Sequence, residues 1–141
     1  MKKLILINLL FIGSLFSQEY YYSKYAPFDD DILSPEEFLG YPIGEMHTRH
    51  DLIVSYMEYL SDSSDKAKIF YYGKTYEKRK LLILAISSPE KIVDIEKIRN
   101  LHISYIDPEH PNYNSSKKPD DFPVIINLAY NVHGNEPSSS E

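Results

Sequence analysis

The sequence predicts an α/β protein with a mixed, mostly parallel sheet flanked by helices. Three observations predict it. A stripe of apolar residues at helical spacing follows Thr48, the run Leu81–Ile86 is apolar on both faces as in a central strand, and Phe122–Val132 is a second apolar run typical of a buried strand. We expect the sheet to be incomplete, because the chain stops soon after the strand at 122–132.

Residues 1–17 are predicted to be a signal peptide rather than part of the fold. Lys2 and Lys3 give a positive start, and Leu4–Phe16 is apolar but short for a bilayer span. Ser17 is small enough to precede cleavage, although an uncleaved anchor is the alternative. The protein is therefore expected to be secreted or periplasmic, with no stable membrane insertion after cleavage.

Composition excludes several function classes. The 141 residues carry a formal net charge of −6, which argues against nucleic acid as a partner. There is no cysteine, so neither disulfides nor a thiolate metal site is expected.

Residues 18–46 are predicted to be an amino-terminal leader or arm with one short helix. Ser34 has the side chain of an N-cap, Pro35 suits the first turn, and Glu37 completes a capping box. Gly40 is expected to end the helix. The remaining residues, 47–141, are assigned to one domain.

The first long helix is predicted over Thr48–Leu60. Thr48 and Asp51 are expected to cap it in the same way as the preceding helix. Its apolar face is predicted to comprise Leu52, Ile53, Tyr56, Met57 and Leu60.

A β-hairpin is predicted next, with strands over 67–72 and 80–87 joined by the polar connection Gly73–Arg79. Arg79 is predicted to be a solvated charge at the strand end, with a substrate contact as the alternative. A further helix is predicted from Ser88 until Asp107-Pro108, less regular after Asn100, with an apolar stripe of Ile92, Ile95, Ile98 (or Val93) and Leu101. Residues 107–121 are rich in turn formers and predict a surface loop.

The run at 122–132 leads directly into His133-Gly-Asn-Glu136-Pro. Imidazole and carboxylate are both zinc donors, but residues three apart in an extended chain point away from each other. Gly134 and Asn135 turn readily, and Pro137 suits the start of a helix. The local pattern therefore predicts strand, turn and helix, with His133 and Glu136 as two ligands of a Zn²⁺ ion.

Tyr130–Glu141 resembles the first zinc motif of the zinc metallocarboxypeptidases, the carboxypeptidase A-like peptidases. Upstream, Tyr72–Ser87 resembles the Gly-x-Ser-x-Glu-Gly-Arg segment of that family and its following strand, with Lys78 in place of the usual glycine. The resemblance covers roughly residues 47–141.

The resemblance implies an exported enzyme that hydrolyses carboxyl-terminal peptide bonds of peptide or protein substrates with zinc-activated water. It also implies a second zinc histidine, a catalytic glutamate and a carboxylate-binding arginine further along the chain, so no catalytic residue is assigned among residues 1–141. We therefore expect an amino-terminal portion that is inactive and marginally folded by itself.

Two alternatives remain open at this point. An amidohydrolase of the aspartoacylase type can carry the same His-Gly-Asn-Glu motif, and a secreted binding module can carry it by coincidence. Of the other histidines, His47 and His50 are predicted to have surface or capping roles, and neither His102 nor His110 is assigned to a site.

Overall fold

The computed structural model describes residues 23–116, 122–130 and 133. The chain divides into two compact units, residues 1–31 and 32–141. In the described part of the first unit, a 3₁₀ turn covers Ser23–Tyr25, and the peptide bond between Ala26 and Pro27 is cis.

The described part of the second unit is a mixed α/β arrangement. In chain order its elements are α1 (Pro35–Leu39), α2 (His50–Ser63), β1 (Ala67–Lys74), β2 (Lys80–Ile86), α3 (Pro89–Val93) and α4 (Ile95–Ile106). No helix in the described residues is both long and apolar enough to cross a bilayer. The predicted signal peptide lies outside these residues.

Helix α1 begins and ends as predicted. The Ser34 hydroxyl accepts a hydrogen bond from the Glu37 amide, while the Glu37 carboxylate accepts one from the Ser34 amide at 2.8 Å. Gly40 ends the helix at φ 81°, in the left-handed conformation that glycine adopts at little cost. Both ends of this short helix are therefore specified by local sequence.

Helix α2 begins two residues later than predicted, with Arg49 rather than Thr48 at the N-cap position. Arg49 is the N-cap, and its guanidinium binds both oxygens of Asp51 at 3.0 and 2.7 Å. The Thr48 side chain is buried instead, at 2 % exposure, and its hydroxyl accepts a hydrogen bond from the Tyr41 hydroxyl at 3.0 Å. Thr48, which the capping pattern placed at the helix start, is thus part of the tertiary packing.

Aromatic rings join α1 to α2. The Phe38 ring lies 5.2 Å from that of Tyr56 and 5.1 Å from that of Tyr59, measured between centroids. The Tyr59 hydroxyl accepts a hydrogen bond from the Leu33 amide at 2.8 Å, and the Tyr56 hydroxyl donates to the Leu33 carbonyl at 3.0 Å. Tyr59 and Tyr56 of α2 therefore bind the backbone amide and carbonyl of Leu33, just before α1.

Strands β1 and β2 form the predicted hairpin. They pair antiparallel from Ala67 opposite Ile86 to Lys74 opposite Lys80, with a register shift between Tyr71 and Gly73. Tyr72 is consequently the extra residue of a β-bulge. The Ile69 amide donates to the Ser61 hydroxyl at 3.1 Å, which connects β1 to α2.

The hairpin loop places Lys78 in a left-handed conformation. The Thr75 amide donates to the Arg79 carbonyl, and the Lys78 amide donates to the Thr75 carbonyl, both at 2.9 Å. These bonds define a three-residue loop, and Lys78 occupies its left-handed position at φ 66°. Glycine is the residue favoured at this position, so Lys78 holds a conformation that costs a side-chain-bearing residue about 1–2 kcal/mol.

The helix predicted from Ser88 is divided at Asp94. With φ −86° and ψ 9°, Asp94 leaves the helical conformation; its amide donates to the Glu90 carbonyl, and its own carbonyl accepts from the Ile98 amide at 2.9 Å. One residue therefore ends α3 and begins α4. After this break α4 is regular to Ile106, so the irregularity predicted after Asn100 is wrong.

The prediction of a buried strand over 122–132 is wrong for residues 122–130. This segment has no regular secondary structure, and Val124 and Ile126 are 88 % and 76 % exposed. A strand needs hydrogen-bonding neighbours, and no described strand pairs with this segment. Residues 131–132 lie outside the described part of the chain.

Burial is thin in the described residues. Only Val54 of α2 and Ile92 of α3 are buried apolar residues there. The predicted apolar residues of α2 are half-buried, whereas Val54 was not predicted. The prediction that β2 is a central strand is wrong for the described sheet, which contains only the antiparallel pair β1–β2.

Candidate metal site and its surroundings

The first predicted zinc ligand, His133, lies at a bend with an exposed side chain. The second predicted ligand, Glu136, lies outside the described residues, as do Gly134, Asn135 and Pro137. The predicted turn between these two ligands therefore lies outside the described residues as well.

The segment that leads to His133 is attached at its beginning. The Phe122 ring stacks on the imidazole of His102 in α4, with centroids 4.5 Å apart and planes 16° from parallel. The Tyr105 ring meets the same phenylalanine edge-on at 5.6 Å. From Val124 to Tyr130 the side chains are exposed. The ring contacts thus hold the start of the apolar segment against α4.

The contact between His102 and Phe122 was not predicted from the sequence. The His102 imidazole is half-buried, and its Nε2 atom is buried without a hydrogen-bond partner among the described residues. The apolar stripe of this helix predicted packing by isoleucine and leucine, whereas Leu101 is exposed and the neighbouring histidine makes the contact. The helical periodicity of α4 cannot predict a contact with an aromatic residue that lies beyond a long loop.

The other histidines do not assemble a site. His47 is exposed before α2, and His50 is the first residue of that helix. The His110 Nδ1 atom accepts a hydrogen bond from the Asn112 amide within the loop after α4. Across residues 23–116, 122–130 and 133, no three His, Cys, Asp or Glu side chains are grouped to hold a metal ion.

The most connected polar cluster lies between α2 and the hairpin. Both the Lys80 ammonium and the Tyr71 hydroxyl donate to Oε1 of Glu58 at 2.5 Å. The hydrogen bonds from Lys80 and then Tyr71 lower the pKa of Glu58, and the bond to Glu58 raises the pKa of both partners. This cluster ties one helix to two strands, so we assign it a structural role.

Arg79, which the sequence left as a possible substrate contact, is an exposed charge at the start of β2. Its guanidinium pairs with the Glu77 carboxylate at 2.6 Å across the hairpin loop. This arrangement agrees with the prediction of a solvated charge.

Comparisons with protein-family profiles, with curated proteins and with solved structures find no match to this chain.

Proposed function

We propose that this chain supplies His133 and Glu136 as two zinc ligands of an exported metallocarboxypeptidase. The reaction is hydrolysis of the carboxyl-terminal peptide bond of a peptide or protein. The observation that carries the proposal is the His-Gly-Asn-Glu-Pro motif directly after an apolar segment of strand-forming residues. His133 is exposed to solvent, which is compatible with a ligand role.

The hairpin supports the same proposal independently of the zinc motif. The upstream resemblance has glycine where this chain has Lys78, and the backbone there is left-handed. A left-handed loop residue is a position where glycine is physically favoured. The left-handed backbone at Lys78 is therefore compatible with a pattern that has glycine at this position.

The donor set fits zinc. A neutral imidazole nitrogen and a carboxylate oxygen are ordinary zinc ligands, and a catalytic site takes three protein ligands with a fourth position open. When bound, zinc supplies the Lewis acidity that polarises the scissile carbonyl and activates water. In this proposal Glu136 contributes charge to the site as a ligand, so it does not also serve as the general base.

The finer fold belongs to the proposal as well. We propose that the hairpin belongs to a mixed, mostly parallel sheet in the complete enzyme. One property supports this: β2 exposes Ile83 and Ile86 in the described structure. Pairing along this sheet would bury apolar surface that is now in water.

The resemblance identifies no third zinc ligand, general base or carboxylate-binding arginine among residues 1–141. We therefore propose that the chain acts as the amino-terminal part of a longer enzyme and has no peptidase activity by itself. Measurable release of carboxyl-terminal residues from peptides by the purified chain would contradict this part of the proposal.

The ligand assignment is tested by zinc titration of three proteins: the unaltered chain, H133A, and H47A as a matched control. His47 is also an exposed histidine, which sequence analysis assigned to the surface. H133A is expected to weaken zinc binding by about tenfold or more, equivalent to about 1.4 kcal/mol, and H47A to leave it unchanged. Equal affinities for H133A and the unaltered chain would remove His133 from the site.

The reaction is tested with the complete protein isolated from its source cells. A carboxypeptidase releases the terminal amino acid of a peptide, whereas an aspartoacylase-type enzyme deacylates an N-acyl amino acid. Deacylation without peptide trimming would replace the proposed reaction while keeping the zinc ligands. Neither activity, together with zinc binding that is insensitive to H133A, would favour a binding module.

A further inference from the structure

The distal half of the hairpin collects exposed aromatic and basic side chains. We define the hairpin tip as residues 71–80, in which every residue except Thr75 is exposed. Tyr76 in the loop is fully exposed, and Tyr72 in the bulge is 64 % exposed. The proximal half of β1 is half-buried, and exposure begins at Tyr71.

The charge of the hairpin tip is opposite to that of the whole chain. The tip has four basic residues and one acidic residue, whereas the formal net charge of the chain is −6. Arg79 pairs with Glu77, and Lys80 pairs with Glu58. Lys74 and Lys78 form no ion pair with any carboxylate of the described residues. Two ammonium groups therefore remain available to an external anion.

We propose that the hairpin tip is a peripheral docking surface for an anionic lipid bilayer. Tyrosine has an apolar ring and a polar hydroxyl, which suit it to the headgroup level of a membrane. Lysine near an anionic bilayer gains electrostatic attraction while its aliphatic stem covers apolar surface. The tip places two exposed tyrosines and two unpaired lysines within seven consecutive residues, Tyr72–Lys78.

The shape of the tip favours a bilayer over an acidic peptide. A peptide partner is usually bound along a sheet edge or in a groove, whereas a bilayer is contacted by side chains that protrude. All four residues from Tyr71 to Lys74 of β1 are exposed, on both sides of the bulge. The tip therefore presents both faces of the ribbon to solvent. This proposal does not depend on the zinc site.

The test uses the absence of tryptophan from the sequence. Y76W introduces one fluorophore at the tip, and Y113W introduces one on the exposed loop after α4 as a control. Both proteins, exported under their own leader, are mixed with vesicles of phosphatidylglycerol and phosphatidylcholine or of phosphatidylcholine alone. The acyl chains of the vesicles carry bromine, which quenches nearby tryptophan.

The expected result is a blue shift and quenching for Y76W on the anionic vesicles only, with little change for Y113W. Adding K74Q and K78Q to Y76W should lower the partition coefficient about 25-fold, since each basic residue near such a surface contributes about fivefold. The control pair K66Q and K91Q removes exposed lysines elsewhere and should have little effect.

Three outcomes of the vesicle experiments would overturn the proposal. These are equal quenching of Y76W and Y113W, equal quenching on vesicles with and without anionic lipid, and partitioning that is insensitive to K74Q with K78Q. Binding of Y76W to polyglutamate without binding to anionic vesicles would instead identify an acidic peptide as the partner and would also overturn it.

Discussion

The hydroxyl of Tyr71 and the ammonium of Lys80 share one acceptor, the Oε1 atom of Glu58, at 2.5 Å each. The ammonium also lies 5.3 Å from the centre of the Tyr71 ring. Because Glu58 is on α2 while its two partners are on β1 and β2, this single oxygen joins the helix to both strands. The hairpin and the helix are therefore coupled through a group that titrates.

The first prediction concerns the pH dependence of this coupling. The pKa of Glu58 is below its ordinary value of 4.5 in the folded protein, so its contribution to stability is present above pH 4.5 and is lost as the pH falls through the folded pKa. Urea unfolding at pH 7 and at pH 3 should show a loss of stability on acidification. The change should be modest, because the Glu58–Lys80 ion pair is partly exposed to solvent.

The variant E58Q should be less stable than the unaltered chain at pH 7 and should show a smaller loss on acidification. E109Q is the matched control, since Glu109 is exposed in the loop after α4 and its carboxylate has no ion pair among the described residues. An E58Q protein that keeps the full acid dependence would show that other carboxylates are responsible.

The second prediction concerns Lys78, whose φ is 66°. K78G should stabilise the protein by about 0.5–1 kcal/mol, because relief of the left-handed strain exceeds the entropy lost from the unfolded chain. K74G is the matched comparison within β1 and should destabilise by a similar amount. Denaturant unfolding measures both, and equal destabilisation by the two substitutions would contradict the strain argument.

The third prediction concerns the attachment of α1. Y59F removes the acceptor of the Leu33 amide and should cost about 0.5–1.5 kcal/mol. Hydrogen exchange at the Leu33 amide should become faster in Y59F. Y76F, which removes a fully exposed hydroxyl, should leave both quantities unchanged. Unaltered exchange at Leu33 in Y59F would show that this hydrogen bond does not hold the chain.

The fourth prediction concerns the apolar segment 124–130. Exposed strand-forming residues with free backbone groups promote association between chains. The purified chain should therefore form concentration-dependent oligomers, and I126K should reduce them in sedimentation velocity. I43K, at an exposed isoleucine outside the segment, is the control. Equal reduction by both substitutions would indicate a general effect of charge.

Local signals predicted the elements whose ends are determined locally. Ser34 and Glu37 form the expected capping box, Gly40 ends α1, and the hairpin and the end of α4 at Asp107 lie where the sequence places them. In each case the determining groups are within a few residues of one another. The hydrogen bonds between these groups do not depend on the tertiary packing around them.

The errors occur where distant groups compete for the same residue. Thr48 packs in the interior instead of capping α2, and Asp94 divides a helix although the apolar stripe continues through it. The segment 122–130 is apolar enough for a strand, but a strand also needs a neighbour that sequence periodicity does not supply. For the candidate site, His133 is described, whereas the zinc pair with Glu136 remains a prediction.

The stacking of Phe122 on His102 also limits where the candidate ligand can be. The backbone between Phe122 and His133 reaches at most about 40 Å when fully extended. Any partner that supplies further zinc ligands must therefore place them within about 40 Å of α4. The ring contacts of Phe122 with His102 and Tyr105 therefore set an upper limit on the distance between His133 and α4.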